Sequence, residues 1–288
     1  MKLRQFCVLF AFLLEFSFTA FGRRASLNTF AVNKVYTSAS HTVVCVPWSG
    51  YATNEPPPLA INKLVNSMNL KSGDRLYACT NDCEKYDAWA LDGVDKGQPI
   101  WKQLKVVTRR GQGSGEPFGI TNGVMRGTGL WVVRNTDVEA DPVPLYLHGQ
   151  YATNGASVAV SPGTMEKPSV ILLADPDYTS AKNVNEMVDW SKVNVGANDL
   201  VSIPSATGGM EAIRHLAWDG QKWYFEKNVE IVSEKTGKVK WGTENVTEGE
   251  EVTVPAGTGF WYQRLSGEND VTVEFDAPSF AQSPAGQN

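Results

Sequence analysis

The chain has 288 residues, of which 42% are hydrophobic and 20% charged, and it carries a formal net charge of −5. That composition supports a packed core, in one large domain or two ordinary ones. The acidic balance excludes the basic surface that nonspecific nucleic-acid binding requires, and it gives no reason to expect attraction to anionic lipid.

The N-terminus reads as a secretory signal peptide over residues 1–22. Lys2 and Arg4 precede an apolar run over 6–14, and the small residues Ala20 and Gly22 precede a cleavage point. Glu15 interrupts the run, and no later segment is apolar and long enough to span a bilayer. An exported protein without a membrane span is expected.

"TVVCVPW" (42–48) predicts a strand holding Cys45 as a buried, inert thiol, followed by Trp48. Ile61, Leu64, Val65 and Met68 fall at helical spacing and predict a short helix. "SGDRLYACT" (72–80) predicts the next strand, and "CTNDC" (79–83) predicts a local Cys79–Cys83 disulfide in an oxidising compartment. The acidic run 80–87 lacks the ligand periodicity of a calcium loop, so no metal is expected. "DAWAL", "KQLKVV", "LWVVR" and "VPLYL" continue as short strands, with "RRGQGSGEP" (109–117) as a long hairpin loop.

A second pass over the chain finds the same phrases again, offset by between 123 and 130 positions. "GTGLWVVR" (127–134) returns as "GTGFWYQR" (257–264). "TVVCVPWSGY" (42–51) returns as "SVILLADPDY" (169–178), setting Cys45 against Leu172. Asp74 returns as Asp199, and "AWALDG" (88–93) as "HLAWDG" (215–220). Val184, Met187 and Val188 repeat the helical spacing, and "EKTGKVKWGTE" (234–244) stands where the first copy has its hairpin loop. We read two β units, 40–150 and 169–278, joined by a linker over 151–168 and followed by a disordered tail over 279–288. The fold class expected is all-β with minor helix: two pseudo-repeated sandwiches or partly open barrels, each with one short helix.

The motif residues Gly127, Gly129, Trp131, Arg134, Gly257, Gly259, Trp261 and Arg264 are expected to form an equivalent strand in each unit. Alternation places Trp131 and Trp261 on one face and the arginines on the other, where each arginine could pair with an aspartate of its own unit. The recurrent pairs Asp92-Gly93 and Asp219-Gly220 read as turn dipeptides rather than catalytic carboxylates. Ser114 lacks the context of a nucleophile elbow, and His41, His148 and His215 leave a hydrolytic site open only across space. No phosphate-binding or dinucleotide motif occurs, so no cofactor is expected. Asn245-Val246-Thr247 is a glycosylation sequon.

Nine tryptophans are many for this length. Those shared between the units read as core. The unshared Trp48, Trp190 and Trp241 are the surface candidates, able to stack on sugar rings. The pattern V-x-V-P, G-D-x-L-Y, A-W-x-x-D-G and G-T-G-x-W resembles exported bacterial proteins of a duplicated β unit ending in a P-A-G-x-G-F-W phrase, here carried by "VPAGTGFWYQR" (254–264). The resemblance implies no activity and no catalytic residue. The expected function is therefore non-catalytic binding of a polysaccharide or cell-surface polymer. A structural subunit of the envelope or an extracellular layer is the alternative, and a secreted hydrolase a weaker one.

Overall fold

The computed structural model describes residues 30–36, 41–45, 65–66, 70–79, 86–95, 98–104, 126–135, 144–150, 154–177, 179–205, 212–233 and 235–277. The expected signal peptide over 1–22, Trp48, Cys83, the expected hairpin loop over 109–117 and residues 279–288 lie outside these residues.

The first half contributes β1 (Phe30–Tyr36), β2 (His41–Cys45), β3 (Val65–Asn66), β4 (Arg75–Cys79), β5 (Tyr86–Asp95), β6 (Gln98–Gln103), β7 (Gly129–Val133) and β8 (Pro144–Gln150). The second contributes β9 (Ala156–Val160), β10 (Ser169–Leu173), β11 (Lys182–Asn183), helix α1 (Val184–Met187), β12 (Leu200–Ile203), β13 (Arg214–Trp218), β14 (Trp223–Val232), β15 (Val239–Val246), β16 (Thr253–Val254), β17 (Phe260–Arg264) and β18 (Val271–Phe275). The protein is all-β, its sheets are antiparallel, and among the described residues none closes into a barrel.

Two sheets share one topology. The order β2-β7-β4-β5-β6 is matched strand for strand by β10-β17-β12-β13-β14, to which the second half adds β15. The flanking ladders match as well: β1 pairs with β8 and β9 with β18. Residues 156–160, expected as linker, are therefore the opening strand of the second unit. Their alternating burial, with Val158 and Val160 inward, shows why: a linker would not bury every other side chain.

Register refines the equivalence. Trp131 and Trp261 are paired with Val43 and Leu172, respectively, so Cys45 corresponds to Ala174 rather than to Leu172. The sequence alignment was two residues out, a slip that leaves every side chain on its own face. Asp92-Gly93 is not a turn: Asp92 is the extra residue of a β-bulge inside β5. Asp219-Gly220 does turn the chain, with Gly220 at φ 101° and the Asp219 N–H donating to the Lys222 carbonyl. The run 234–244 is mostly strand: β14 turns at Thr236-Gly237 and returns as β15. Val65–Asn66, expected as helix, is a short strand paired with β8.

The second unit's core lies between its sheet and a cover made of α1, the 3-10 turn at Trp190–Lys192, and the β9–β18 pair. Asn183 caps α1 by accepting from the Asn185 N–H, and Asn185 exchanges two hydrogen bonds with the Trp223 backbone. Trp190 meets Trp223 and Tyr262 edge to face at 5.3 and 5.6 Å, contacts worth about 0.5–1.5 kcal/mol each beyond their area.

The halves join at the G-T-G segments. The Cys45 N–H donates to the Gly257 carbonyl at 2.8 Å, and its counterpart, the Ala174 N–H, donates to the Gly127 carbonyl at 2.9 Å. A Cβ on Gly129 would fall 2.8 Å from Cγ of Leu172, and one on Gly259 would fall 2.5 Å from the Leu173 carbonyl and 3.3 Å from Val43. Gly127 and Gly257 supply the positive φ of 87° and 71° that leads into the crossing. The Gly259→Ala variant is expected to lose about 2 kcal/mol or more in urea unfolding, because a backbone carbonyl has to move. Gly93→Ala, with no atom within 4 Å of the added carbon, should change stability by less than about 0.5 kcal/mol.

Candidate functional site

Asp74 and Asp199 are the buried carboxylates that recur, 2% and 0% exposed. Asp74 accepts from the N–H groups of Lys71 and Asn135; Asp199 accepts from those of Gly196 and Leu265. Each therefore ties the turn before the third strand of its sheet to the chain leaving the G-T-G strand. Asp199 also accepts from the N–H of Ser266 and the hydroxyl of Tyr262. Burial, then the Asp199 charge, pushes the Tyr262 phenol well up. With both oxygens taken by these donors Asp199 is a structural anchor, and Asp74, held by one backbone donor on each oxygen, anchors the equivalent turn.

The motif arginines are both buried, Arg134 at 7% and Arg264 at 1% exposure. Arg264 does not pair with Asp199: its guanidinium donates to the Asn269 carbonyl and packs under the loop at Gly267. Asp199 is already filled by its own donors, which leaves Arg264 to close the following turn.

Cys45 is fully buried and donates its thiol to the Asp175 carbonyl at 2.9 Å. Burial, reinforced by the Asp175 carboxylate, pushes the thiol well above its ordinary range. Lys182 bridges Asp175 and Asp177 at 2.8 and 3.2 Å. The adjoining cavity, lined by these three and Thr258, holds about 10 Å3, room for one water and no organic ligand. Cys79 ends β4, and its expected partner Cys83 lies outside the described residues.

His148 lies in β8. His215 stands directly across from Ser202, with Nδ1 2.8 Å from the serine Oγ. The dyad sits on neighbouring strands, where β12 is paired on both sides with β13 and β17. Backbone N–H groups that would form an oxyanion hole are thus committed to the ladders, and among the described residues no carboxylate hydrogen-bonds His215 to orient it. The pair can donate to and accept from a ligand hydroxyl; it is not assembled as a nucleophile.

The aromatic residues redistribute. Trp190, expected at the surface, is 4% exposed and its indole N–H donates to the Val184 carbonyl. The reason is that its 3-10 turn is part of the core cover. Trp241 is 67% exposed on β15. The shared Trp131 and Trp261, expected in the core, are half-buried and meet edge to face at 6.5 Å where the two sheets join. Tyr77 and His41 flank Trp131 at 5.2 and 5.7 Å, and Ser202 is paired across from Trp261. Tyr77, Trp131, Trp261, Ser202 and His215 thus form one strip crossing both sheets. Exposure rises along it, from the fully buried Val43 and Leu172 at the glycine crossing to the exposed His215. Sequence reasoning missed the strip because Tyr77 and Ser202 occupy the same position in the two units yet share no chemistry.

Replacing Asp199 by Ala is expected to cost about 3 kcal/mol or more, since several buried donors lose their acceptor together; chemical denaturation measures it. Cys45 is expected to resist iodoacetamide at pH 8 in the native protein and to alkylate in denaturant, as read by peptide mapping. Comparison with family models, curated proteins and solved structures returns no match.

Proposed function

We propose that the protein is an exported, non-catalytic binding protein whose ligand is a polysaccharide or sugar-bearing surface polymer, held along the strip at the junction of the two sheets. The observation that carries this reading is the run of half-buried rings at Tyr77, Trp131 and Trp261, continued by the hydrogen-bonding pair Ser202 and His215. Sugar rings present apolar C–H faces and a rim of hydroxyls. Aromatic faces stack on the first, while a serine hydroxyl and an imidazole satisfy the second. Strands about 4.8 Å apart space the strip's side chains so that it extends over several sugar units.

The strip is rigid as well as extended. Its residues lie on paired strands, and Trp131 is hemmed by three other rings. Little conformational entropy is then lost when a ligand docks.

Retention on a panel of insoluble polysaccharides, followed by affinity electrophoresis on those that bind, tests the reading. Tyr77→Ala is expected to weaken binding about tenfold, equivalent to ~1.4 kcal/mol, with melting temperature as the control for folding. Trp241→Ala, remote from the strip, should bind as the unmodified chain does. Failure to bind any member of the panel, or Tyr77→Ala binding undiminished, would refute the proposal.

A further inference from the structure

Strand β15, which forms a long hairpin with β14, has no counterpart among the described strands of the first sheet, and the sites above leave it without a role. From the Phe225–Val246 pair outward, nearly every residue on both strands is exposed, including Ile231, Val232, Val239 and Trp241 at 52–67%. Seven further cross-strand pairs carry the ribbon about 23 Å along its axis at ~3.3 Å per residue. Its outer strand, β15, ends the sheet order and pairs with no other described strand.

The direction of its free hydrogen-bonding groups follows from the turn. The Ser233 N–H donates to the Lys238 carbonyl, so Ser233 and Lys238 are a hydrogen-bonded pair. Alternation along the ladder makes Ile231–Lys240 and Val229–Gly242 hydrogen-bonded pairs too. Val239, Trp241, Thr243 and Asn245 consequently aim their N–H and C=O groups away from β14. An edge this long, lacking proline or a bulge, is a template for another strand.

We infer that the occupant of this edge is a second copy of the same chain, joined by antiparallel β15–β15 pairing about a two-fold axis at Gly242. The charge pattern selects this register. With Gly242 opposite its symmetry mate, Lys240 of each copy faces Glu244 of the other, twice over. Placing the axis at Lys240 instead would set like charges face to face. In the chosen register Trp241 faces Thr243 of the second copy, and the two Trp241 rings become diagonal neighbours, within reach of each other. The most exposed tryptophan described would then be covered by itself. At the axis Gly242 brings no side chain, and Ile231 of its own hairpin leans over it, with Cδ1 2.5 Å from where a Cβ would stand. Every outward N–H and C=O of the four edge residues finds a partner.

A tip-first insertion into lipid fits less well. The extreme end of the ribbon is the polar run 233–238, with the apolar side chains behind it. The inference does not depend on the carbohydrate reading, since Trp241 and the Tyr77–His215 strip belong to different strands.

The test is a charge swap on the full mature chain, produced without glycosylation at Asn245 and followed by analytical ultracentrifugation from low to high micromolar concentration. The unmodified protein is expected to dimerise. Lys240→Glu alone and Glu244→Lys alone should each weaken the dimer at least tenfold, because each sets like charges opposite one another. An equimolar mixture of the two variants should recover the dimer as a heterodimer, in which both opposed pairs are again of opposite sign. Both substitutions lie on exposed positions, and circular dichroism checks that each variant is folded. A monomer at all concentrations overturns the inference. So does a dimer indifferent to the single substitutions, or a mixture no more associated than its parts.

Discussion

The structure rests on a crossing of two strands that only glycine permits. At Gly129 the chain runs close enough to the other unit for Leu172 to occupy the space of a side chain, while at Gly259 the Leu173 carbonyl of the neighbouring strand fills that space and Val43 of the other unit lies 3.3 Å away. Hydrogen bonds on either side of the crossing, from Cys45 to Gly257 and from Ala174 to Gly127, hold the approach in a nearly two-fold symmetric arrangement. Backbone bonds of this kind cost little entropy once each sheet has formed, and the apolar contacts they admit, Val43 and Leu172, are completely buried. Trp131 and Trp261 follow two residues along on the same face, which is why they meet each other rather than the core.

A second constraint acts at the other end of the same strands. Asp74 and Asp199 sit where a turn would otherwise bury unsatisfied N–H groups, and each carboxylate answers donors from two separate segments. The same residue type could have signalled catalysis. What distinguishes the two cases is occupancy: an acid whose oxygens are filled by backbone donors holds a turn in place, whereas a working acid keeps a direction open toward solvent or ligand.

Much of the fold was legible in the sequence. Period-two alternation in 129–134 and 260–264 marked the strands, and the recurrent phrases marked two copies of one β unit, whose shared strand order only the structure supplies. The failures share a cause. Trp190 was misread because the 3-10 turn carrying it is too short to show a period. Residues 156–160 were misread because nearby Gly and Pro resembled a linker. Asp92-Gly93 and Asp219-Gly220 are the same dipeptide, yet one is a bulge and the other a turn; strand length beyond the dipeptide decides, and that is a tertiary property. The aromatic strip was illegible for a related reason. Its members come from both units, so only the crossing brings them together.

The crossing also orders events in time. Cys45 precedes Gly257 by 212 residues, so the bond between them cannot form until both units have been made. Contacts this distant in sequence slow folding, since a large loop has to close before they contribute. The first sheet, completed earlier, meanwhile holds the face around Val43 and Trp131 without its cover. A chain made only as far as the first sheet thus exposes an apolar flank that the second half later covers. Truncations that remove the last strands would be felt not as the loss of one unit but as insolubility of the other.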